Sequence, residues 1–221
     1  MFEYLPQELL IEIFLKLPIK SIIQCTSFCK SWYSLLTSPN FIFIHLKNQD
    51  DYLLVRHCSG KPVKENYALF YDNENFDSYA QFDFPFESYS HFNIVGSCNG
   101  LLCLSDDLSC YRDLYYIWNP SIRKSVKLLE PIFTFGTHGP FDHKLGFGFD
   151  SVTDDYKVVR IVHTGDNVDR VPPHVELYKL STGVWHDITP VSPSYKFFRH
   201  TPGVYVNGAC HWVASQRKRF G

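Results

Sequence analysis

Cys25 and Cys29 stand four residues apart on a predicted helical face, a spacing at which two thiolates could hold half of a zinc site. No second pair of ligands follows at matching spacing, and cysteine often fills the place of a small core residue. Cys98, Cys103 and Cys110 gather around a predicted hairpin, where burial on strands accounts for them. Ser27-Phe28-Cys29-Lys30 and Ser121-Ile122-Arg123-Lys124 both fit Ser-x-x-Lys, the spacing of an acyl-transfer nucleophile and its base. Two fixed positions recur by chance, and neither segment has a companion motif. Gly146-Phe147-Gly148-Phe149 carries two glycines, but a phosphate cradle needs a helix start directly after it. Strand glycines that let another element approach closely are the better reading. Asp154-Asp155 reads as a solvated acidic turn, and no ligand spacing connects His138, His143, His163 and His211. The expectation is a chain that is not an enzyme and holds no metal or cofactor.

The bulk properties narrow the partners. Lys and Arg number 21 against 23 Asp and Glu, so the net charge of −2 is too balanced for a general polyanion binder. The one basic run, Arg217-Lys218-Arg219, reads as a solvated tail. No stretch has the apolar length to span a bilayer, and Met1–Pro6 lacks the basic and apolar regions of a signal peptide. Asn119-Pro120-Ser121 carries the proline that forbids glycosylation. Seven cysteines at irregular spacing do not make a disulfide framework, which points to a cytoplasmic or nuclear protein with reduced thiols.

The elements that would carry a function fall into two regions of different period. Leu5, Leu9, Ile13 and Leu17 recur every four residues, and Leu10 and Phe14 widen the stripe, which predicts a helix. Pro6 falls where a first-turn proline is tolerated, Glu8 suits the positive end of the helix dipole, and Pro18 ends the segment. Ser21 is expected to cap a second segment in which Ile22, Cys25, Cys29, Trp32 and Leu36 follow at three or four, with Phe28 and Leu35 beside them, stopped by Ser38-Pro39-Asn40. Two or three helices in some 40 residues make a unit too small to hide its whole stripe, so it needs a partner or a following domain.

After the polar stretch Lys47–Asp51 the chain reads as short strands. Twelve are expected: Tyr52–His57, Tyr67–Tyr71, Phe92–Gly96, Leu101–Leu104, Leu114–Trp118, Ser125–Leu129, Gly146–Phe149, Tyr156–Val162, Val175–Leu180, Val184–Ile188, Gly203–Val206 and Ala209–Val213. Asn99-Gly100 and Asn207-Gly208 are strong hairpin signals, because both residue types accept positive φ. With no helix between the strands, the sheets should be antiparallel. Ser97–Leu104 echoes Tyr205–Trp212, and Leu114–Pro120 echoes His174–Leu180. Repeated hairpins suggest propeller blades, and four strands per blade gives about three blades, fewer than a closed ring takes. The expected organisation is α+β and multidomain: helices over residues 1–46, then an all-β, antiparallel kelch-like propeller over 47–221, lacking its C-terminal part.

The stretch Leu5–Leu46 resembles an F-box along its length, through Leu5-Pro6, Glu8-Leu9, Ile13, Leu17-Pro18, Ser21, Cys29-Lys30, Trp32, Leu35, Pro39, Phe41 and His45. The remainder is similar to the F-box-associated, kelch-like domain of a large plant family, through Gly96–Asp106, Ile117–Lys124, Leu145–Ile161, Val175–Trp185 and Val206–Ala214. That family includes the S-locus F-box proteins of pollen. The resemblance implies a substrate-recognition adaptor of a ubiquitin ligase. Its F-box would bind a Skp-like linker protein and, through it, a cullin, while the β domain would hold a target for ubiquitination. It places the Skp-binding face on Leu5, Pro6, Glu8, Leu9, Leu10, Ile13, Leu17, Pro18 and Trp32. One departure is visible: Ile22-Ile23-Gln24-Cys25 lacks the Arg common there, which would trim the affinity for Skp.

Physically, the stripe would work by laying an apolar helix face into a groove. Period alone leaves open that the stripe is core against the β domain. Trp32 is expected in the core of the bundle against the first helix, and only partly on the contact surface. For the target, the longest stretches without strand pattern are Cys58–Asn66, Asn73–Ser90, Glu130–His143 and Thr164–Pro173. Phe82, Phe84, Phe86, Tyr89 and Phe92 could build an aromatic patch or simply alternate along a strand. No individual target-binding residue follows. The alternative from another class is a protein-interaction (lectin-like) module that is Skp-independent or defective in target binding.

Overall fold

In a computed structural model of the chain, the described residues are 5–59, 64–83, 92–106, 113–164, 172–191, 195–197 and 203–216. The chain divides into two compact units, Met1–Phe86 and Glu87–Gly221.

The first unit begins with four helices, α1 (Gln7–Leu15), α2 (Ile19–Cys25), α3 (Lys30–Leu36) and α4 (Pro39–Lys47). Prolines set two of the starts. Pro6 and Pro18 are the N-cap residues of α1 and α2, with ψ of 145° in both, so each stands just outside its helix. Ser21 therefore does not cap α2 as expected; it lies in the first turn, its amide donating to the Pro18 carbonyl. The expected second segment is also two helices. Its break falls at Thr26–Cys29, where the Thr26 hydroxyl donates to the Ile23 carbonyl and Cys29 is extended at φ −158°. Ser38 stops α3 and caps α4, accepting from the Phe41 amide at 3.2 Å, with Pro39 in the first turn.

Phe14, Ile22, Leu36 and Phe41, one from each helix, form the buried centre of this bundle. The first unit continues into a three-stranded antiparallel sheet in the order β1-β2-β3, of β1 (Tyr52–Ser59), β2 (Lys64–Tyr71) and β3 (Ser78–Asp83). β3 lies inside a stretch that shows no strand pattern of its own. Pairing with β2 across the turn at Asp72–Asp77 supplies it.

The second unit contains two four-stranded antiparallel sheets. One runs in chain order through β4 (Phe92–Cys98), β5 (Leu101–Asp106), β6 (Tyr115–Asn119) and β7 (Lys124–Lys127). After one helical turn, α5 (Phe135–His138), the other follows as β8 (Phe141–Asp150), β9 (Asp155–Thr164), β10 (His174–Lys179) and β11 (Val184–Asp187). Tyr115, Ile117 and Cys103 of the first sheet share one core with Phe147, Val158, Tyr178 and Trp185 of the second, so the sheets pack face to face. Four short strands complete the described part: β12 (Tyr195–Phe197), β13 (Val204–Val206), β14 (Ala209–His211) and β15 (Ala214–Gln216), pairing as β12-β15 and β13-β14. No sheet among the described residues closes into a barrel.

The hairpin signals land where expected. Asn99 and Gly100 have φ of 50° and 76°, and Asn207 and Gly208 have 51° and 81°. β8 begins five residues before the expected Gly146, because Phe141–Leu145 pair with Arg160–Thr164 of β9. The strand glycines do admit close neighbours: a Cβ on Gly148 would stand 2.2 Å from the Tyr205 ring, whose hydroxyl donates to the Phe149 carbonyl at 2.5 Å. The acidic turn is only half as expected. Asp154 is exposed, whereas Asp155 is buried and accepts from the amide and hydroxyl of Ser181 at 2.9 and 2.8 Å.

Candidate protein-interaction site

The nine residues expected on one face of the helical unit are divided by the fold. Leu5, Leu9 and Ile13 lie on the outside, with 39%, 46% and 49% of their surfaces exposed. Leu10 and Leu17 pack against the bundle core instead. Leu17 leaves the stripe because α1 ends at Leu15 and the chain turns towards Pro18. Pro6, Glu8 and Pro18 are exposed. Trp32 is partly buried, edge-on to Phe14 at a centroid distance of 4.9 Å. The Phe28 ring lies 5.7 Å from that of Trp32, tilted against it, and is itself 75% exposed. Ile23 and Tyr33 are exposed as well. Sequence reasoning placed Phe28 beside the buried face, since an apolar residue in a continuous helix carries no sign that the helix breaks before it.

A bundle whose centre is filled without Leu5, Leu9 and Ile13 leaves a row of apolar side chains free for a groove. His45 also belongs to the fold of this unit: it is buried against Phe41 at 6.0 Å, and burial lowers its pKa from the ordinary value.

In the second unit the chemistry-bearing groups gather around Arg160. Its guanidinium bonds Asp113 at 2.6 Å and Glu176 at 3.3 Å, and lies 4.8 Å over the Phe141 ring. Burial raises the pKa of both carboxyls, and Arg160 pulls each of them back down. His143 sits edge-on to Tyr115 nearby, its pKa pushed down to about 4 by burial and by the Arg160 charge. Nothing in the sequence marked these residues as neighbours, because they come from four separated segments.

The thiols are arranged as packing groups. Cys103 is fully buried, which pushes its pKa far up, and burial takes Cys210 up to about 11, so both stay protonated and weakly nucleophilic. Cys29 bonds Ser31 at 3.1 Å. Among the described residues no group of three or more His, Cys, Asp or Glu is placed to hold a metal ion. The fold does bring His138 and His174 together, 5.6 Å apart beside the Phe133 ring, although no spacing connects them.

Of the stretches expected to lack strands, Asn73–Ser90 contains β3, and Glu130–His143 contains α5 and the start of β8. In the expected aromatic patch, Phe92 is buried on β4, while Phe84, Phe86 and Tyr89 lie outside the described residues, as do Cys110 and Arg217-Lys218-Arg219. No helix among the described residues is long and apolar enough to cross a membrane.

Two family models match along the chain. Residues 2–44 match a family model described as an F-box domain, and residues 71–220 match one described as an F-box associated beta propeller domain. The chain is similar to F-box protein At3g07870 of Arabidopsis thaliana, 30% identical over 98% of this chain and 55% of the relative. F-box protein CPR1 of the same plant is 29% identical over 96% of the chain and 54% of its own length. F-box/kelch-repeat protein At3g23880 is 26% identical over 96% of the chain and 59% of its own length. The chain thus spans about half the length of the curated relatives it matches.

Proposed function

This chain belongs to the F-box proteins that carry an F-box-associated β-propeller domain, and from that premise we propose that it is the substrate-recognition adaptor of a Skp-cullin-F-box ubiquitin ligase. The observation that carries the reading is the exposed row Leu5, Leu9 and Ile13 on a bundle already filled by Phe14, Ile22, Leu36 and Phe41. Burying such a row in the groove of a Skp-like linker contributes about 1.5–3 kcal/mol per fully covered Leu or Ile, before the costs of association. Pro6, Glu8 and Pro18 frame the row, and Trp32 supports it from the core side. Leu10 and Leu17 act through the bundle core. The cullin is reached through the linker, and the β-rich remainder of the chain, over residues 47–221, holds the target.

The test is capture of a purified Skp-like linker by the wild-type chain and by Leu9→Asp, with circular dichroism of both. Loss of capture with an unchanged spectrum supports the reading, and undiminished capture overturns it. Within the same role, recognition of stylar ribonucleases by a pollen S-locus protein is a narrower proposal, tested by direct binding of such a ribonuclease to the purified chain. A cytoplasmic or nuclear location fits the adaptor role, and a fluorescent fusion reads it directly.

A further inference from the structure

The connection between β7 and β8 is held by side chains from elsewhere in the second unit. The Phe133 amide donates to Glu176 Oε1 at 2.5 Å, and its carbonyl accepts from Arg160 Nη1 at 2.6 Å. The Phe135 amide donates to the Asp113 carboxylate, and the Leu129 carbonyl accepts from the Trp185 indole at 2.8 Å. Arg160 joins the two acids to one another. Arg160 and Glu176 have no exposed surface, and the Asp113 side chain keeps only 4%.

Surface connections ordinarily satisfy their backbone groups with water. Here three charges are removed from water, which is costly for each ion, and their hydrogen bonds go largely to one short connection. A local device adds to this: Thr134 and Thr137 cap α5 reciprocally. Pro131 and Phe133 turn inward, and Leu129, Ile132 and Phe135 remain exposed between the anchoring points.

We propose that Asp113, Arg160, Glu176 and Trp185 form a clamp that fixes the Leu129–Phe135 segment in a single conformation, with Ile132 and Phe135 held outward.

Native-state hydrogen exchange on the full chain, without any partner, tests the clamp. The Phe133 and Phe135 amides should exchange about a hundredfold more slowly than those of Ile132 and Gly136, and at rates close to the strand amides of Val158 and Tyr178. Glu176→Gln keeps an acceptor for Phe133 and alters the contact with Arg160. It should speed exchange at Phe133 by about tenfold and leave Val158 and Tyr178 unchanged. Wild-type Phe133 and Phe135 amides exchanging as fast as Ile132 would overturn the clamp. So would a Glu176→Gln variant that speeds all the sheet amides equally, since the pair would then be general packing. Either failure leaves Skp capture unaffected, and failed Skp capture leaves the exchange pattern unaffected.

Discussion

Trp212 donates its indole N–H to the Leu145 carbonyl at 3.0 Å, and its ring lies so close to Gly146 that a Cβ there would stand 2.6 Å from Cζ2. Tyr205 repeats the relationship one pleat further along β8, bonding to Phe149 above Gly148. The β13-β14 hairpin is thus seated on β8 by two rings over two glycines on the same face of the strand. Gly146→Ala and Gly148→Ala should each destabilise the second unit by about 1–3 kcal/mol. Gly96→Ala, whose added Cβ meets nothing nearer than 3.8 Å, should stay within about 1 kcal/mol. Urea unfolding followed by tryptophan fluorescence measures all three.

In the first unit, exposure and burial separate binding from folding. Phe14 is 2% exposed and touches Trp32 and Phe41 edge-on, so Phe14→Ala should cost about 3–5 kcal/mol of stability. Ile13→Ser, on the exposed row, should shift stability by no more than about 0.5 kcal/mol while lowering capture of the linker. Thermal unfolding and a binding titration on the same samples decide between the two effects.

Arg160 lies against two buried acids, Asp113 and Glu176, and its removal strands both. Arg160→Met should destabilise the second unit by about 3–5 kcal/mol, because Asp113 and Glu176 are left without their shared charge partner. Denaturant midpoints at neutral pH measure the loss, and the deficit should shrink in acid as the stranded carboxyls take up protons.

The pH dependence follows from His143. Its folded pKa of about 4 lies below the ordinary 6.5, so the unfolded chain takes the proton first as the pH falls. The contribution of neutral His143 is complete above about pH 6.5, declines between 6.5 and 4, and levels off below that. The loss is on the order of 3 kcal/mol. His45 acts in the same direction within the first unit. Asp113 and Glu176, both raised by burial, act in the opposite direction. Stability measured from pH 4 to 7 for wild type and His143→Gln isolates the histidine: the variant should lose less on acidification.

Much of this molecule could be read from local pattern. A four-residue apolar period with prolines before and after it marked α1. Asn-Gly pairs marked two hairpins, and alternation marked most strands, because each of these signals is set by neighbours a few residues away. What the tertiary structure decided lies further along the chain. Leu5, Leu9 and Leu17 look alike in sequence, yet only the first two stay exposed, because the turn after Leu15 packs Leu17 against the core. β3 and the first half of β8 exist through partners across their sheets, not through their own alternation. Asp155 became buried because Ser181, 26 residues later, meets it. The bond between Arg160 and Asp113 spans 47 residues, and no periodicity reaches that far. Period and turn chemistry are short-range properties, whereas burial and charge pairing depend on which strands the whole chain brings side by side.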